Sequence, residues 1–363
     1  MTSSRRDARS AGLRLERARA SRQFSEGRFR NTAPVGPGIQ GGSLPLLGEY
    51  FFNGAQRTPP GVLPMESPLE TWAKRPESGL RVTWLGHSTM LVELGGARIL
   101  TDPVWGERAS PTSFAGPKRF HPAPVPLQVL PTLDAVLVSH DHYDHLCRPT
   151  IEALAKLRVP FVTGLGVGAR LEGFGVAPEL ITELDWWEQA SIGPVSFTAA
   201  PAQHFSGRGF GDRNQTLWAS WVMRSDRHRV FFSGDTGLTT EFEQIRERLG
   251  PFDLVMIEVG AFHPSWGGIH LGPENALKAH AMLGGGTLMP VHWGTFNLAL
   301  HAWDEPAETL VRLASEQHVR LLTPRLGAAV EPPLVEQLAP WWREVVGTSW
   351  CASTPAPPAS ARG

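Results

Sequence analysis

Ala135-Val136-Leu137-Val138-Ser139-His140-Asp141-His142-Tyr143-Asp144-His145-Leu146 passes from four apolar residues directly into three imidazoles and two carboxylates within six positions. A short apolar run of this kind reads as a buried strand, so the polar cluster stands where that strand ends. Side chains two apart on extended backbone share a face; His140 and His142 therefore point the same way. Asp144 and His145 fall where a following helix would begin. Buried polar groups without compensation are unfavourable, and a divalent cation supplies that compensation. Two cations can share such a cluster. Imidazole and carboxylate suit Zn²⁺ best, with Fe and Mn compatible with the same ligand types. Cys147 follows at a spacing that fits packing better than ligation.

Three later segments repeat the arrangement, each carrying a metal-capable side chain just past an apolar run. Val195 to Ala200 leads to His204, Arg229 to Ser233 leads to Asp235, and Leu288 to Val291 leads to His292. An aspartate in Gly234-Asp235-Thr236-Gly237 taken alone reads as a turn residue. Its recurrence with the first cluster changes that reading, because loops at one end of a sheet meet on a common rim and the strands hold them rigid.

The rest of the pattern gives the architecture. Strands are predicted at Arg81 to Leu85, Met90 to Leu94, Arg98 to Thr101, Ala135 to Ser139, Val195 to Thr198, Leu217 to Met223, Arg229 to Ser233, Leu254 to Val259 and Thr287 to Val291. Three- and four-residue apolar spacing, often with proline in the first turn, predicts helices at Pro149 to Leu157, Thr240 to Leu249, Pro273 to Leu283 and Pro306 to Gln317. Paired strands followed by strand-helix alternation imply an α/β fold, two sheets face to face with helices outside, an αββα sandwich of four layers. No repeat of solenoid length is present.

A chain of 363 residues can bury a large core. The sequence divides into an Arg-rich arm over 1–35, read as flexible, and a Gly/Pro-rich linker over 36–78. A catalytic domain over 79–346 and a Pro/Ala/Ser-rich disordered tail over 347–363 follow. The linker holds the apolar residues Leu44, Leu46, Leu47, Tyr50, Phe51 and Phe52, which suit docking on the main domain, a homodimer contact or peripheral contact with lipid. A formal charge of −1 provides no field for nucleic acid, which is not expected as a partner. Two cysteines and no secretory leader fit a cytoplasmic location, peripheral at the membrane if the arm or linker touches lipid.

The motifs taken together resemble those of metallo-β-lactamase-fold hydrolases. Within them, Trp84-Leu85-Gly86-His87-Ser88-Thr89, Thr101-Asp102-Pro103, Gly116-Pro117-Lys118-Arg119-Phe120, Leu184-Asp185-Trp186-Trp187-Glu188, Pro201-Ala202-Gln203-His204 and His292-Trp293-Gly294-Thr295-Phe296 are similar to the N-acylphosphatidylethanolamine-hydrolysing phospholipase D family and its bacterial relatives. The resemblance implies that His140, His142 and His204 hold one metal ion and that Asp144, His145 and His292 hold a second, with Asp235 bridging. It implies a zinc-dependent phosphodiesterase in which metal-activated hydroxide attacks phosphorus, releasing N-acylethanolamine and phosphatidic acid. No Gly-x-Ser-x-Gly elbow suggests a serine nucleophile instead. His270 matches a cavity histidine of that family, placed to bind phosphate or protonate a leaving alkoxide. Tyr143 borders the substrate or packs, and His87 and Asp102 orient a ligand or cap the rim. The alternative among enzymes is that the same centre cleaves another ester substrate, a lactone or a soluble phosphodiester. A metal-stabilised regulatory protein without turnover is the reading from another class.

Overall fold

The structure is a computed structural model that describes residues 12–35, 56–209 and 211–345. The apolar cluster from Leu44 to Phe52 and the tail over 347–363 lie outside the described residues. A small hairpin of β1 (Phe24–Ser25) and β2 (Arg28–Phe29) comes first. The first large sheet then takes β3 (Leu80–Gly86), β4 (Thr89–Leu94), β5 (Ala97–Thr101), β6 (Ala135–Val138), β7 (Phe161–Gly164) and β8 (Ile181–Leu184). The second takes β9 (Gln189–Ile192), β10 (Val195–Ala200), β11 (Ser220–Arg224), β12 (Arg229–Phe232), β13 (Leu254–Glu258) and β14 (Thr287–Val291), after which β15 (Ala329–Val330) returns to the edge of the first. The orders are β15-β3-β4-β5-β6-β7-β8 and β14-β13-β12-β11-β10-β9. Each sheet starts antiparallel and becomes parallel, from β5 in the first and from β12 in the second.

Strand alternation builds the layers. Met90, Val92, Ile99, Ala135 and Leu137 pack inward with Phe197, Trp221, Met223, Val230 and Phe232 of the facing sheet. Their neighbours Leu91, Leu100, Val136 and Val138 turn outward onto Ile151 and Leu154 of the helix Arg148–Ala155. A strand covered on both faces cannot alternate apolar with polar residues, which explains the unbroken apolar runs. Glu241–Leu249, Gly272–Met282 and Glu305–Glu316 contribute Phe242, Ile245, Ala276, Leu277 and Leu310 to the same core as the second sheet. The architecture is the αββα sandwich of the metallo-β-lactamase fold.

Several expectations need correction. The strand expected from Leu217 starts at Ser220; before it, Leu217 N–H donates to Leu165 O and Ala219 N–H to Ser139 O, so this stretch bonds to loops of the first sheet rather than to a ladder. The arm read as flexible is docked from residue 12 onward. Residues 12–20 are helical, Ala18 and Phe29 are buried in the main core, and Arg14 pairs with Glu172 at 2.7 Å and Glu183 at 2.6 Å. Apolar anchors among the arginines explain this, since a bare charge run would stay solvated. The described part of the linker is also packed: Leu63 and Trp72 are buried, and Trp72 Nε1 donates to Thr83 Oγ1 at 3.0 Å.

Candidate metal centre

Both sheets bring polar residues to one rim. The turn after β6 carries Ser139 to His145, the segment after β10 carries His204, and the adjacent ends of parallel β12, β13 and β14 present Asp235, Glu258 and His292. Three non-glycine residues on this rim have left-handed backbone, His87 (φ 53°), Asp102 (φ 35°) and His292 (φ 64°). Such strain persists where the surroundings over-determine it, commonly at functional sites.

The Gly234–Gly237 turn fits because its ends lack side chains. A Cβ on Gly234 would lie 2.7 Å from Ser139 Cβ, and one on Gly237 would lie 1.7 Å from Gly268 O. Gly237→Ala must therefore push the loop bearing His270 away from the loop bearing Asp235. The expected outcome is a loss of about 1–3 kcal/mol in stability, read by denaturant unfolding, together with weaker metal retention.

The side chains form two adjoining groups. In one, His140 Nε2 lies 2.8 Å and His204 Nε2 3.3 Å from His142 Nδ1, with Asp235 Oδ2 3.8 Å from His140 and 3.7 Å from His204. In the other, Asp144 Oδ2 lies 3.5 Å from His145 Nε2 and 3.3 Å from His292 Nε2, and Asp235 reaches the same two nitrogens at 3.1 Å each. Asp235 is thus shared. His87 joins the second group, donating from Nε2 to Asp144 Oδ2 at 3.0 Å.

The surroundings fix which ring atoms face inward. His140 Nδ1 donates to Ser139 Oγ (2.9 Å), whose own proton goes to Asp102 Oδ2 (2.6 Å). His145 Nδ1 donates to the same Asp102 oxygen (2.7 Å), and His204 Nδ1 donates to the carbonyl of Ile269 (2.9 Å). In the neutral rings the remaining nitrogens are lone-pair acceptors. One N–H on His142 cannot satisfy both His140 and His204. His145 Nε2, His292 Nε2 and Asp235 Oδ1 are buried without a hydrogen-bond partner. Converging acceptors and orphaned buried atoms are what divalent cations accommodate, so these residues fit a pair of them.

The electrostatics show what stands in for cations when none is bound. Burial drives His140 and His204 well below the usual imidazole range, keeping them neutral. Burial likewise lowers His87 to about 3, helped by repulsion from His292. His292 goes the other way: although burial opposes it, the neighbouring Asp235 and Asp144 carboxylates raise it to about 10. His145 rises too, against burial, through Asp235, Asp144 and Asp102. Asp144 and Asp235 are held well below the usual carboxylate range, burial opposing and His145 the largest favourable neighbour for each. Protons on His145 and His292 thus balance the carboxylates, and a cation must displace them. Loading at pH 7 should release about one proton or more per chain, read by calorimetry in buffers of differing ionisation enthalpy. Because the competing imidazole is raised, affinity should climb with pH between 6.5 and about 10; an affinity flat over that interval would contradict the pairing.

Other residues sort around this centre. Asp141 turns away, accepting from Gly207 N–H at 2.8 Å and meeting Arg170. Tyr143 lines a cavity of about 550 Å³ with Arg108, Arg148 and Arg208; its hydroxyl donates to Arg208 O and the Arg208 guanidinium lies 3.9 Å from its ring centre. His270 stacks on His292 at 5.3 Å and lines a cavity of about 410 Å³. Glu258, missed in the sequence, is fully buried and accepts from His270 Nδ1 at 3.0 Å and from the N–H groups of Thr236 and Leu271. Its signal was a carboxylate closing the apolar run Leu254 to Ile257. Cys147 is buried.

The profile of the Beta-lactamase superfamily domain matches residues 97–293. An uncharacterized protein of Mycobacterium tuberculosis is 48% identical over 302 residues, covering 82% of this chain and 80% of that one. An N-acyl-phosphatidylethanolamine-hydrolyzing phospholipase D of Caenorhabditis elegans is 40% identical over 250 residues, covering 65% of this chain and 70% of that one. The structure of an isothiocyanate hydrolase from Delia radicum gut bacteria superposes with a TM-score of 0.56 at 22% identity, over 69% of this chain and 98% of that one, a likeness of fold. The chain belongs to the beta-lactamase superfamily and is a metal-dependent hydrolase with a binuclear divalent-metal site.

Proposed function

We propose that this hydrolase is a phosphodiesterase of the phospholipase D type, cleaving N-acylphosphatidylethanolamine-like lipids to N-acylethanolamine and phosphatidic acid. His270, held by Glu258 beside the shared Asp235, carries the reading, and the similarity to the nematode phospholipase supports it. His140, His142 and His204 would hold one cation and Asp144, His145 and His292 the other, with Asp235 between them. Bound there, zinc or a similar divalent ion supplies Lewis acidity and a nucleophilic water at neutral pH. Burial opposes protonation of His270, but the Glu258 carboxylate raises it. Its Nδ1–H is engaged by Glu258, which leaves Nε2–H to protonate the departing alkoxide. Asp102 and Ser139 keep His145 and His140 in the tautomers that turn Nε2 inward.

One observation favours a second reading, a smaller soluble ester. The cavity lined by His270 mixes Phe262 and Leu271 with Glu274, Asn275 and Glu305. Among the described residues no helix is long and apolar enough to cross a membrane, so a lipid would be met from the surface. Metal-loaded protein should release N-acylethanolamine from vesicles faster than it opens lactones or cleaves aryl phosphodiesters. Faster turnover of the soluble esters would overturn the lipid assignment, and two bound ions without turnover on any of them would leave a binding protein.

A further inference from the structure

We propose that Asn31, on the N-terminal arm, is a positioning residue for the metal centre: its carboxamide clasps the main chain of His204 and so sets where that ring stands. His204 lies past the end of β10, on irregular backbone with no ladder to hold it. Asn31 fills that role from both sides. Its Nδ2 donates to His204 O at 2.8 Å, and His204 N–H donates to its Oδ1 at 3.0 Å. The amide orientation is set independently, because Trp218 Nε1 also donates to Oδ1, at 3.1 Å, while bonding Ala202 O at 2.9 Å. Two N–H groups demand an acceptor at one end and a carbonyl demands a donor at the other, so a flipped amide would lose all three bonds.

The arm holds Asn31 in place from either side. Phe29 is fully buried and its N–H donates to Asn214 O at 2.7 Å; on the other side Thr32 Oγ1 donates to Glu241 Oε1 at 2.6 Å. Farther back, Arg14 grips Glu172 and Glu183. The ring of His204 is further restrained by the bond from Nδ1 to Ile269 O and by packing against Phe205 and His270. The clasp fixes the main chain and the ring bond fixes the rotation, and together they aim Nε2 at His142 and Asp235. Partners that orient a ligand from behind affect metal affinity by about 10–100-fold. A segment 173 residues upstream of His204 thus completes the centre.

The inference rests on His204 being a cation ligand, and the experiment separates the two claims. In the full-length chain, Asn31→Ala, Asn31→Asp and the arm control Arg17→Ala are compared with wild type. The readouts are the visible spectrum of the Co²⁺-loaded protein, the rate at which EDTA strips each ion, and amide exchange at His204 in metal-free protein. Asn31→Ala should release one of the two ions about 10–100-fold faster, shift the Co²⁺ bands and speed exchange at His204. Asn31→Asp, which keeps an acceptor but loses the donor, should fall between, and Arg17→Ala should match wild type. If Asn31→Ala does not fold, Asn31→Asp and Trp218→Phe carry the comparison. Unchanged stripping, spectrum and His204 exchange in the Asn31 variants overturn the proposal, as does an equal loss in Arg17→Ala, which would make the arm merely structural. Faster exchange at His204 with unchanged ions would retain the clasp and overturn the ligand reading instead.

Discussion

Asp235→Ala is expected to lower hydrolysis on the order of 10³-fold, about 4 kcal/mol of barrier, and to lower bound metal from two ions toward one or none. The carboxylate lies 3.1 Å from both His145 and His292 and within 3.8 Å of His140 and His204, so it serves both groups. Removing it would leave the six other candidate ligands split between two groups that no longer share an anion. Each group of side chains would then hold a cation with less negative charge. Metal analysis of purified protein with parallel kinetics checks this. A variant that keeps two ions and full turnover would show that the bridge is dispensable.

Asp102→Asn should rank next, although Asp102 faces the centre only through other residues. Its Oδ2 accepts from His145 Nδ1 and from Ser139 Oγ, and its Oδ1 accepts from Ser139 N–H. An amide in its place must turn its NH₂ toward one set of donors. Turned toward His145, it favours the tautomer with the proton on Nε2, aimed at Asp235 instead of a cation. The expected loss is about 10–100-fold in metal affinity, concentrated on the ion held by His145, with a stability cost of about 1–3 kcal/mol for the unmatched buried group. Competition against a chelator of known affinity measures the first, and denaturant unfolding of metal-free protein the second. Unchanged affinity would mean that packing alone orients His145.

The physical basis of each reading explains what the sequence disclosed. His140 to His145 was legible because polar residues abruptly follow a buried strand, and the same rule reached His204, Asp235 and His292. Applied once more to the run ending at Glu258, it would have found the partner of His270. The sandwich was legible because strands buried on both faces have apolar runs that stand out against the turns. Edge strands such as β8 and β9 are too short and too exposed to announce themselves. The arm was misread because arginine density hid its anchors, Ala18 and Phe29. Nothing local marks Asn31, since its partners are distant in sequence and only tertiary structure unites them.

The split of ligands between the sheets also governs when the centre can exist. A nascent chain exposes the His140 to His145 turn while β11 to β14 are still unsynthesised, and His292 is added 147 residues after His145. Until then the early histidines can capture stray ions only loosely. A complete cation site therefore requires closure of the second sheet.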